Sequence, residues 1–514
     1  MIYSFSPFGY EGALVTIETD LRRGIPATDI VGMSDKCVKE VRERVQVAIR
    51  NSGFEYPNER VLISLSPADL KKEGCWFDLP IALGVLVNQS VLYDSLDEDV
   101  ARNMVTTPVL VMGELELSGR IRNVKAIHGA CSTALASGIE YAIVPKGSDV
   151  PKGIKYCEVE TLEDAYRAML NIGSQEYFKK KGEEVAEGFS TANEPIFDDF
   201  EITDFDSLGN NGLKFALAVA VAGRHNLMAV GKPGCGKTMV LQHAIQLIPR
   251  LTFEESQSVT RIWSLAGLIK PNEDYIKVRP FRIPHQTASI EGICGGGSNC
   301  RPGEISLAHN GVLFLDESPE FRSSVLQMLR VPLENGTISL SRAGRSTVYP
   351  AKFQLFMTAN PCPCGNLGSE DKVCLCSTQS VENYWKKFSA PLLDRVAIRY
   401  DCNFEYETPK YTLEELRKLI RNAWKVQYKR QGKLNSDLAP SEILEYIVLS
   451  KSAQEELDNA IKNNGYSPRA ISSLLKVART YEDMFLEKVN DNLVSDKAIK
   501  KAIELRALTP VGMY

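Results

Sequence analysis

The chain has 514 residues, with 60 Lys and Arg against 65 Asp and Glu and a formal net charge of −5. Its composition, 44% apolar and 24% charged, is that of a folded globular protein with room for several domains of roughly 150 residues each. No apolar run approaches the ~20 residues that span a bilayer, and the start Met1-Ile2-Tyr3-Ser4-Phe5 lacks the basic region and apolar core of a signal peptide. A cytoplasmic location without membrane contact is expected, and the twelve cysteines should be reduced, buried or metal-bound. The acidic balance excludes a uniformly basic nucleic-acid binder, so any such contact must come from a local patch.

Residues 1–170 mix short β-like runs with amphipathic helices. Residues 61–65 and 141–145 read as strands and residues 35–51 as a helix. Residues 171–206 read as an acidic linker: 183–206 holds nine acidic side chains, no basic one, and Pro195. From 207 to 405 short apolar runs alternate with helices, the pattern of a parallel α/β sheet. From 406 to 514 the pattern is helical, over 412–431, 440–461, 467–489 and 495–506. No internal repeat is present.

The chemistry begins with Gly231-Lys232-Pro233-Gly234-Cys235-Gly236-Lys237-Thr238, which fits G-x-x-x-x-G-K-[ST]. Its glycines allow a tight loop whose N–H groups point inward; Lys237 reaches β/γ-phosphates and Thr238 offers a hydroxyl to Mg²⁺. About eighty residues later Gly311-Val312-Leu313-Phe314-Leu315-Asp316-Glu317 reads as a buried strand ending in two carboxylates. Asp316 suits the metal and Glu317 the attacking water, so the pair points to NTP hydrolysis. Residues 353–359 form another apolar strand ending at Asn360, which can orient that water, although an Asn-Pro turn also explains it. Arg395, in Pro391-Leu392-Leu393-Asp394-Arg395, can neutralise charge during phosphoryl transfer, or simply pair with Asp394. Arg469, in Ser467-Pro468-Arg469-Ala470, opens a helix and can reach the same phosphates from a lid.

This order of phosphate loop, Asp-Glu strand, Asn-ending strand, Leu-Leu-Asp-Arg and lid arginine resembles an AAA+ ATPase. Further segments resemble the magnesium-chelatase-like branch, specifically the ComM/YifB family. They are Arg279-Pro280-Phe281-Arg282 with Pro284-His285, Gly295-Gly296-Gly297, Pro302-Gly303-Glu304-Ile305-Ser306-Leu307-Ala308-His309, Asn360-Pro361-Cys362-Pro363-Cys364-Gly365 and Ser389-Ala390-Pro391-Leu392-Leu393-Asp394-Arg395. The resemblance spans essentially the whole chain. Gln286 stands where the family usually has a second His, and Ala390 where Gly is usual; neither is expected to touch the phosphate chemistry. The resemblance implies a hexameric ring with ATP between subunits and Arg395 acting on the neighbour's nucleotide. It also implies ATP-driven branch migration of joint DNA molecules. A metal-chelatase-type motor subunit or an ATP-dependent remodeller of a protein partner is the alternative.

The first 170 residues resemble the proteolytic domain of Lon, through Lys72-Glu73-Gly74-Cys75-Trp76-Phe77-Asp78-Leu79-Pro80 and Gly113-Glu114-Leu115-Glu116-Leu117-Ser118-Gly119-Arg120-Ile121. A Ser–Lys dyad needs a hydroxyl and a neutral amine in reach of each other. Trp76 and His128 stand at the two dyad positions, and no spacing favours Ser64, Ser66 or Lys125 instead. No protease activity is expected. The expected fold is therefore α/β: an AAA+ parallel-sheet P-loop core, a helical C-terminal lid and an N-terminal α+β Lon-protease-like domain.

Cys362, Cys364, Cys374 and Cys376 form C-x-C-x₉-C-x-C, a candidate for structural Zn²⁺ beside ATP and Mg²⁺, with free thiols as the alternative. Arg342 and Arg345 lie in a turn between β-like runs and are the candidate DNA contacts, as in related helicase ATPases that aim such a hairpin into a ring pore. Residues 417–433 hold seven basic side chains and no acid, with Trp424 and Tyr428; they form either a nucleic-acid surface or a solvated helix face. Lys277, Arg279, Arg282 and Arg301 flank the Gly295-Gly296-Gly297 loop, a second candidate at the pore.

Overall fold

A computed structural model describes the chain except residues 8–9, 11, 34, 68–71, 73–74, 94–95, 125, 149, 181–187, 192–193, 200–204, 270–274, 298–299, 343–344, 369–371, 404–408, 487–492 and 507–514. Its centre is a five-stranded sheet in the order Phe281–Arg282, Val312–Leu315, Gln354–Ala359, Leu227–Val230, Ile398–Asp401. Every neighbouring pair is parallel. The three inner strands are buried at every residue, which is why they read as continuous apolar runs rather than alternating ones.

Helix Asn211–Gly223 covers one face and is buried at every position from Leu213 onward. A helix apolar all round needs cover on both sides. The sheet supplies one side and the C-terminal helices the other, with Gln427 Nε2 donating to Ala222 O at 3.0 Å.

The C-terminal helices are Leu413–Gln431, Pro440–Tyr446, Lys451–Asn464, Pro468–Phe485 and Asp496–Glu504. Thr412, Ser450, Ser467 and Ser495 cap four of them, each accepting a backbone N–H. The single helix expected over 440–461 is two. Val448–Leu449 pairs with Leu493–Val494 as a short parallel ladder, and Ser450 then restarts the helix. A buried network of Arg430 and Arg479 on Asp483 holds the bundle together.

Residues 2–180 build an eight-stranded mixed sheet in the order Lys179–Lys180, Lys155–Val159, Tyr141–Pro145, Val109–Val111, Ile2–Ser6, Ala13–Arg22, Arg60–Ser66, Ala27–Val31. Separate apolar cores fill its two sides. The edge strand Lys179–Lys180 carries this sheet past residue 170. The helix expected at Asp35–Asn51 and the strand at Tyr141–Pro145 form with those bounds.

This N-terminal part docks on the central sheet's helices. Arg261 Nη2 donates to Thr133 Oγ1 at 3.1 Å, and the rings of His128 and Tyr275 meet edge to face at 5.4 Å. Tyr10 N donates to Thr347 Oγ1 at 2.9 Å. In the acidic stretch, Asp198 and Asp199 accept from Arg250 and Arg417 at 2.7 and 2.9 Å. Among the described residues no helix is long and apolar enough to cross a membrane.

Candidate active site

The phosphate loop follows strand Leu227–Val230 at the carboxyl end of the parallel sheet, where open α/β sheets bind ligands. Gly234 and Gly236 take φ of 82° and 83°, so the loop turns in a region that side chains avoid, and helix Lys237–Gln242 starts immediately after. Lys237 is buried; its Nζ donates to Gly231 O at 2.6 Å and Lys232 O at 2.9 Å and lies 3.4 Å from Asn360 Oδ1. The strands of Asp316 and Asn360 are direct neighbours, Leu315 pairing with Met357. Thr238 Oγ1 and Thr358 Oγ1 both donate to Asp316 Oδ1, at 2.8 and 2.6 Å. A hydroxyl beside a carboxylate is an oxygen donor set that suits Mg²⁺, so the residues fit that ion.

Glu317 turns away from Asp316 with φ 49° and ψ 50°, a left-handed conformation uncommon outside glycine, while its N–H is held by Thr358 Oγ1 at 2.8 Å. Its carboxylate accepts from Gln286 Nε2 at 2.8 Å. This corrects the expectation that Gln286 stands apart from the residues assigned to phosphate chemistry: its side chain donates to the carboxylate expected to act on the attacking water. No local motif signals the contact, because the partners are 31 residues apart.

Cys235 lies in the loop itself, its Sγ 3.6 Å from Lys237 Nζ. A hydrogen bond from Cys402 and the Lys237 charge outweigh burial and bring its thiol down to about 6; the same contact pushes Cys402 far up.

Arg395 and Arg469 sit elsewhere. Both donate to Glu334, Arg469 Nη2 at 2.7 Å to Oε1 and Arg395 Nη2 to Oε2. They line a cleft of about 770 Å³ with Arg224, Asn226, Lys352 and Ala397. Asn226, Phe353 and Ala397 immediately precede three of the parallel strands, whereas the phosphate loop and Asn360 follow theirs. The cleft therefore opens at the amino edge of the sheet and the phosphate site at the carboxyl edge. A four-residue strand separates them by roughly 13 Å. Glu334 is a further site residue that the sequence did not single out.

The Sγ atoms of Cys362, Cys364, Cys374 and Cys376 lie within 4.8 Å of one another. Strands Thr337–Arg342 and Arg345–Pro350 form the expected hairpin, with Arg342 opposite Arg345. Its turn and the side chains of these two arginines lie outside the described residues.

The other basic candidates change character. Arg417 is buried on Gln246 O and Asp198 O, and Arg430 on Asp483, so neither belongs to a surface. Trp424 is buried as well, with the Arg279 guanidinium over its ring. Lys418, Arg421, Lys425 and Lys429 remain on the exposed face of that helix. Arg279 is buried on Glu255 and Arg282 pairs with Glu304, so both brace the fold instead of facing a pore. In the N-terminal part, Trp76 packs partly buried against the core while its O accepts from Ser4 Oγ at 3.2 Å, and His128 is buried against Tyr275. Both are packing positions.

Sheet order, phosphate loop, Asp-Glu pair and polar strand end define a P-loop ATPase core of the AAA+ type. The comparisons agree. The family described as "Magnesium chelatase, subunit ChlI" matches residues 204–408. "Subunit ChlI of Mg-chelatase" matches 17–148, and "Magnesium chelatase, subunit ChlI C-terminal" matches 411–506. The chain is 35% identical over 496 residues to the Competence protein ComM of Haemophilus influenzae, covering 94% of this chain and 93% of that one. It is 33% identical over 521 residues to the uncharacterized protein YifB of Escherichia coli, covering 99% and 97%. A shorter match, 24% over 153 residues, is to the DNA replication licensing factor MCM4 of Arabidopsis thaliana, covering 30% of this chain and 16% of that one. The chain belongs to the ComM/YifB family of magnesium-chelatase-like proteins, and the family supports ATPase activity.

Proposed function

We propose that the chain is one subunit of a homo-hexameric, ATP-hydrolysing ring motor that moves DNA and drives branch migration of recombination or transformation intermediates in the cytoplasm. On this reading the N-terminal sheet domain, reaching to residue 180, is a Lon-protease-like module without proteolytic activity, the acidic stretch from there to 206 a linker, 207–405 the AAA+ core and 406–514 the lid. Lys237 and the loop N–H groups hold the triphosphate. Thr238 and Asp316 hold Mg²⁺, which when bound neutralises phosphate charge. Asn360 orients the attacking water and Glu317, set by Gln286, takes its proton. Zn²⁺ at the four thiols completes the cofactor set.

The observation that carries the ring is the split site: Arg395 and Arg469 lie at the opposite sheet edge from Lys237, so each phosphate site needs the arginines of a neighbouring copy. DNA as the track rests on relatives named for competence and for DNA replication, and on a hairpin bearing Arg342 and Arg345. The second reading, a chelatase-type motor subunit or a remodeller of a protein partner, has the three chelatase family matches in its favour.

The test is ATP turnover with no DNA and with single-stranded, duplex and four-way-junction DNA, together with conversion of labelled junctions to duplex. The expected result is DNA stimulation, and conversion only with hydrolysable ATP. Arg342→Ala with Arg345→Ala should lose DNA stimulation and keep basal turnover, with binding that falls steeply as salt rises. Failure of the wild-type protein to bind any DNA at low salt would favour the chelatase-type reading.

A further inference from the structure

Strand Gln354–Ala359, which delivers Asn360, runs directly into the four-cysteine segment. Cys362 Sγ lies 3.4 Å from Cys364 Sγ and 3.6 Å from Cys374 Sγ, and Cys364 and Cys374 are 3.6 Å apart. Four sulfurs, each about 2.3 Å from a tetrahedral Zn²⁺, sit about 3.8 Å from one another. A disulfide would bring two of them to about 2.05 Å. The cluster has the dimensions of a metal site, and soft thiolates select Zn²⁺ over Mg²⁺ or Ca²⁺.

The surrounding backbone has the same form. Gly365 N donates to Cys362 O at 2.9 Å, closing a tight turn that carries the first two thiols. Leu367 N donates to Cys362 Sγ at 3.3 Å, the kind of N–H···S bond that supports a metal-bound thiolate. Apolar burial holds the second arm only in part: Cys374 and Cys376 pack partly buried against the core, while Val373 and Leu375 on either side of Cys374 are 80% and 89% exposed. Metal binding can supply the ordering free energy that the core does not.

The cluster also touches the phosphate loop. Gly365 has φ 78°, and a Cβ on it would fall 2.6 Å from Pro233 Cγ, so this turn lies flat against the loop. Trp385 Nε1 donates to Pro361 O at 3.1 Å, from the end of helix Thr378–Trp385, which begins just after Cys376. We infer that Cys362, Cys364, Cys374 and Cys376 bind one Zn²⁺, and that this clasp positions the phosphate loop and Asn360 for nucleotide. The positioning role rests on the ATP-site reading above; the metal site does not.

The full chain, purified without chelator, should carry about one zinc per chain by elemental analysis. Protein produced with Co²⁺ should show the visible bands of tetrahedral thiolate coordination. Cys364→Ser and Cys376→Ser should lose the zinc, keep the far-UV circular dichroism, and bind a fluorescent ATP analogue about tenfold more weakly, the scale of losing loop preorganisation. If a variant fails to fold, stripping wild-type protein with a strong chelator reads the same two quantities. Zinc-free wild-type protein in which Cys362, Cys364, Cys374 and Cys376 all titrate as free thiols overturns the site. Loss of zinc with unchanged nucleotide affinity overturns the clasp. Lys237→Ala should keep its zinc while losing nucleotide. A wild-type protein that holds zinc and binds no ATP would overturn the ATP reading and the clasp, and leave the metal site standing.

Discussion

Arg395 and Arg469 meet on one carboxylate, that of Glu334. One arrives from the short helix Ala390–Leu393 and the other from the first turn of helix Pro468–Phe485. The two guanidinium groups hold the Glu334 carboxyl below its usual range. Two cations on one anion leave a net positive charge facing the cleft, and Arg395 Nε, though buried, has no hydrogen-bond partner among the described residues. Such a site suits an incoming phosphate.

The first prediction follows from the split between this cleft and Lys237. Arg395→Ala should lower turnover about 10³-fold and leave ATP binding nearly intact. Mixed with Lys237→Ala protein, it should recover part of the activity, because a mixed ring contains some interfaces with both groups present. Inactive mixtures, in which mixed rings are shown to form by pull-down, would rule out action across subunits.

Gln286 provides the second. Glu317→Gln should bind ATP normally and lose turnover by about 10²-fold or more, the scale of removing a general base. Gln286→Ala should give a smaller loss in kcat with little change in KM, since the amide sets the carboxylate without touching ATP. Normal turnover in the Glu317→Gln protein would remove Glu317 from the mechanism.

The third concerns the thiol inside the phosphate loop. With its pKa at about 6, Cys235 should be largely thiolate at neutral pH and react fast with iodoacetamide, at a rate that flattens above about pH 7. Cys402, pushed the other way, should stay unmodified. MgATP should slow labelling of Cys235, as read by peptide mass mapping. Slow labelling that is indifferent to ATP would show that this thiol does not face the nucleotide.

The fourth is a pH dependence of stability. His225 is buried, 2.7 Å from Thr480 Oγ1, and ties the end of helix Asn211–Gly223 to the C-terminal helices. Burial lowers its pKa to about 3, and does the same for His309. The unfolded chain, with His near 6.5, takes up these protons first as pH falls. Stability is therefore full above about pH 6.5 and is lost as pH drops toward 3, by at most about 2 kcal/mol per histidine at pH 5. Urea midpoints at pH 7.5 and 5 should show the loss, and His225→Gln should flatten part of it. An unchanged pH slope would mean that His225 titrates as an exposed group.

The phosphate loop and the strand ending at Asp316 were legible because both are constraints on consecutive residues. The turn at Gly234 and Gly236 takes φ of 82° and 83°, which favours glycine, and a strand covered on both faces is apolar throughout, as from Val312 to Leu315. The stretch 440–461 reads as one helix because its helical periodicity runs past Ile447 and Val448. Strand pairing with Leu493–Val494, far along the chain, competes with that periodicity and wins.

Charged side chains mark the boundary between what sequence and fold decide. The residue types that the proposed phosphate chemistry calls for, Lys237, Thr238, Asp316, Glu317, Asn360, Arg395 and Arg469, can be read along the sequence, as can the family. Their grouping does not. Gln286 reaches Glu317 across 31 residues, and Glu334 gathers Arg395 and Arg469 across 61 and 135. Arg417 and Arg430 read as members of a basic surface and point inward instead, because buried carboxyl and carbonyl oxygens await them there. A sequence specifies which donors and acceptors exist along a chain; which ones meet depends on the strand order that sends the phosphate loop to one edge of the sheet and the two arginines to the other.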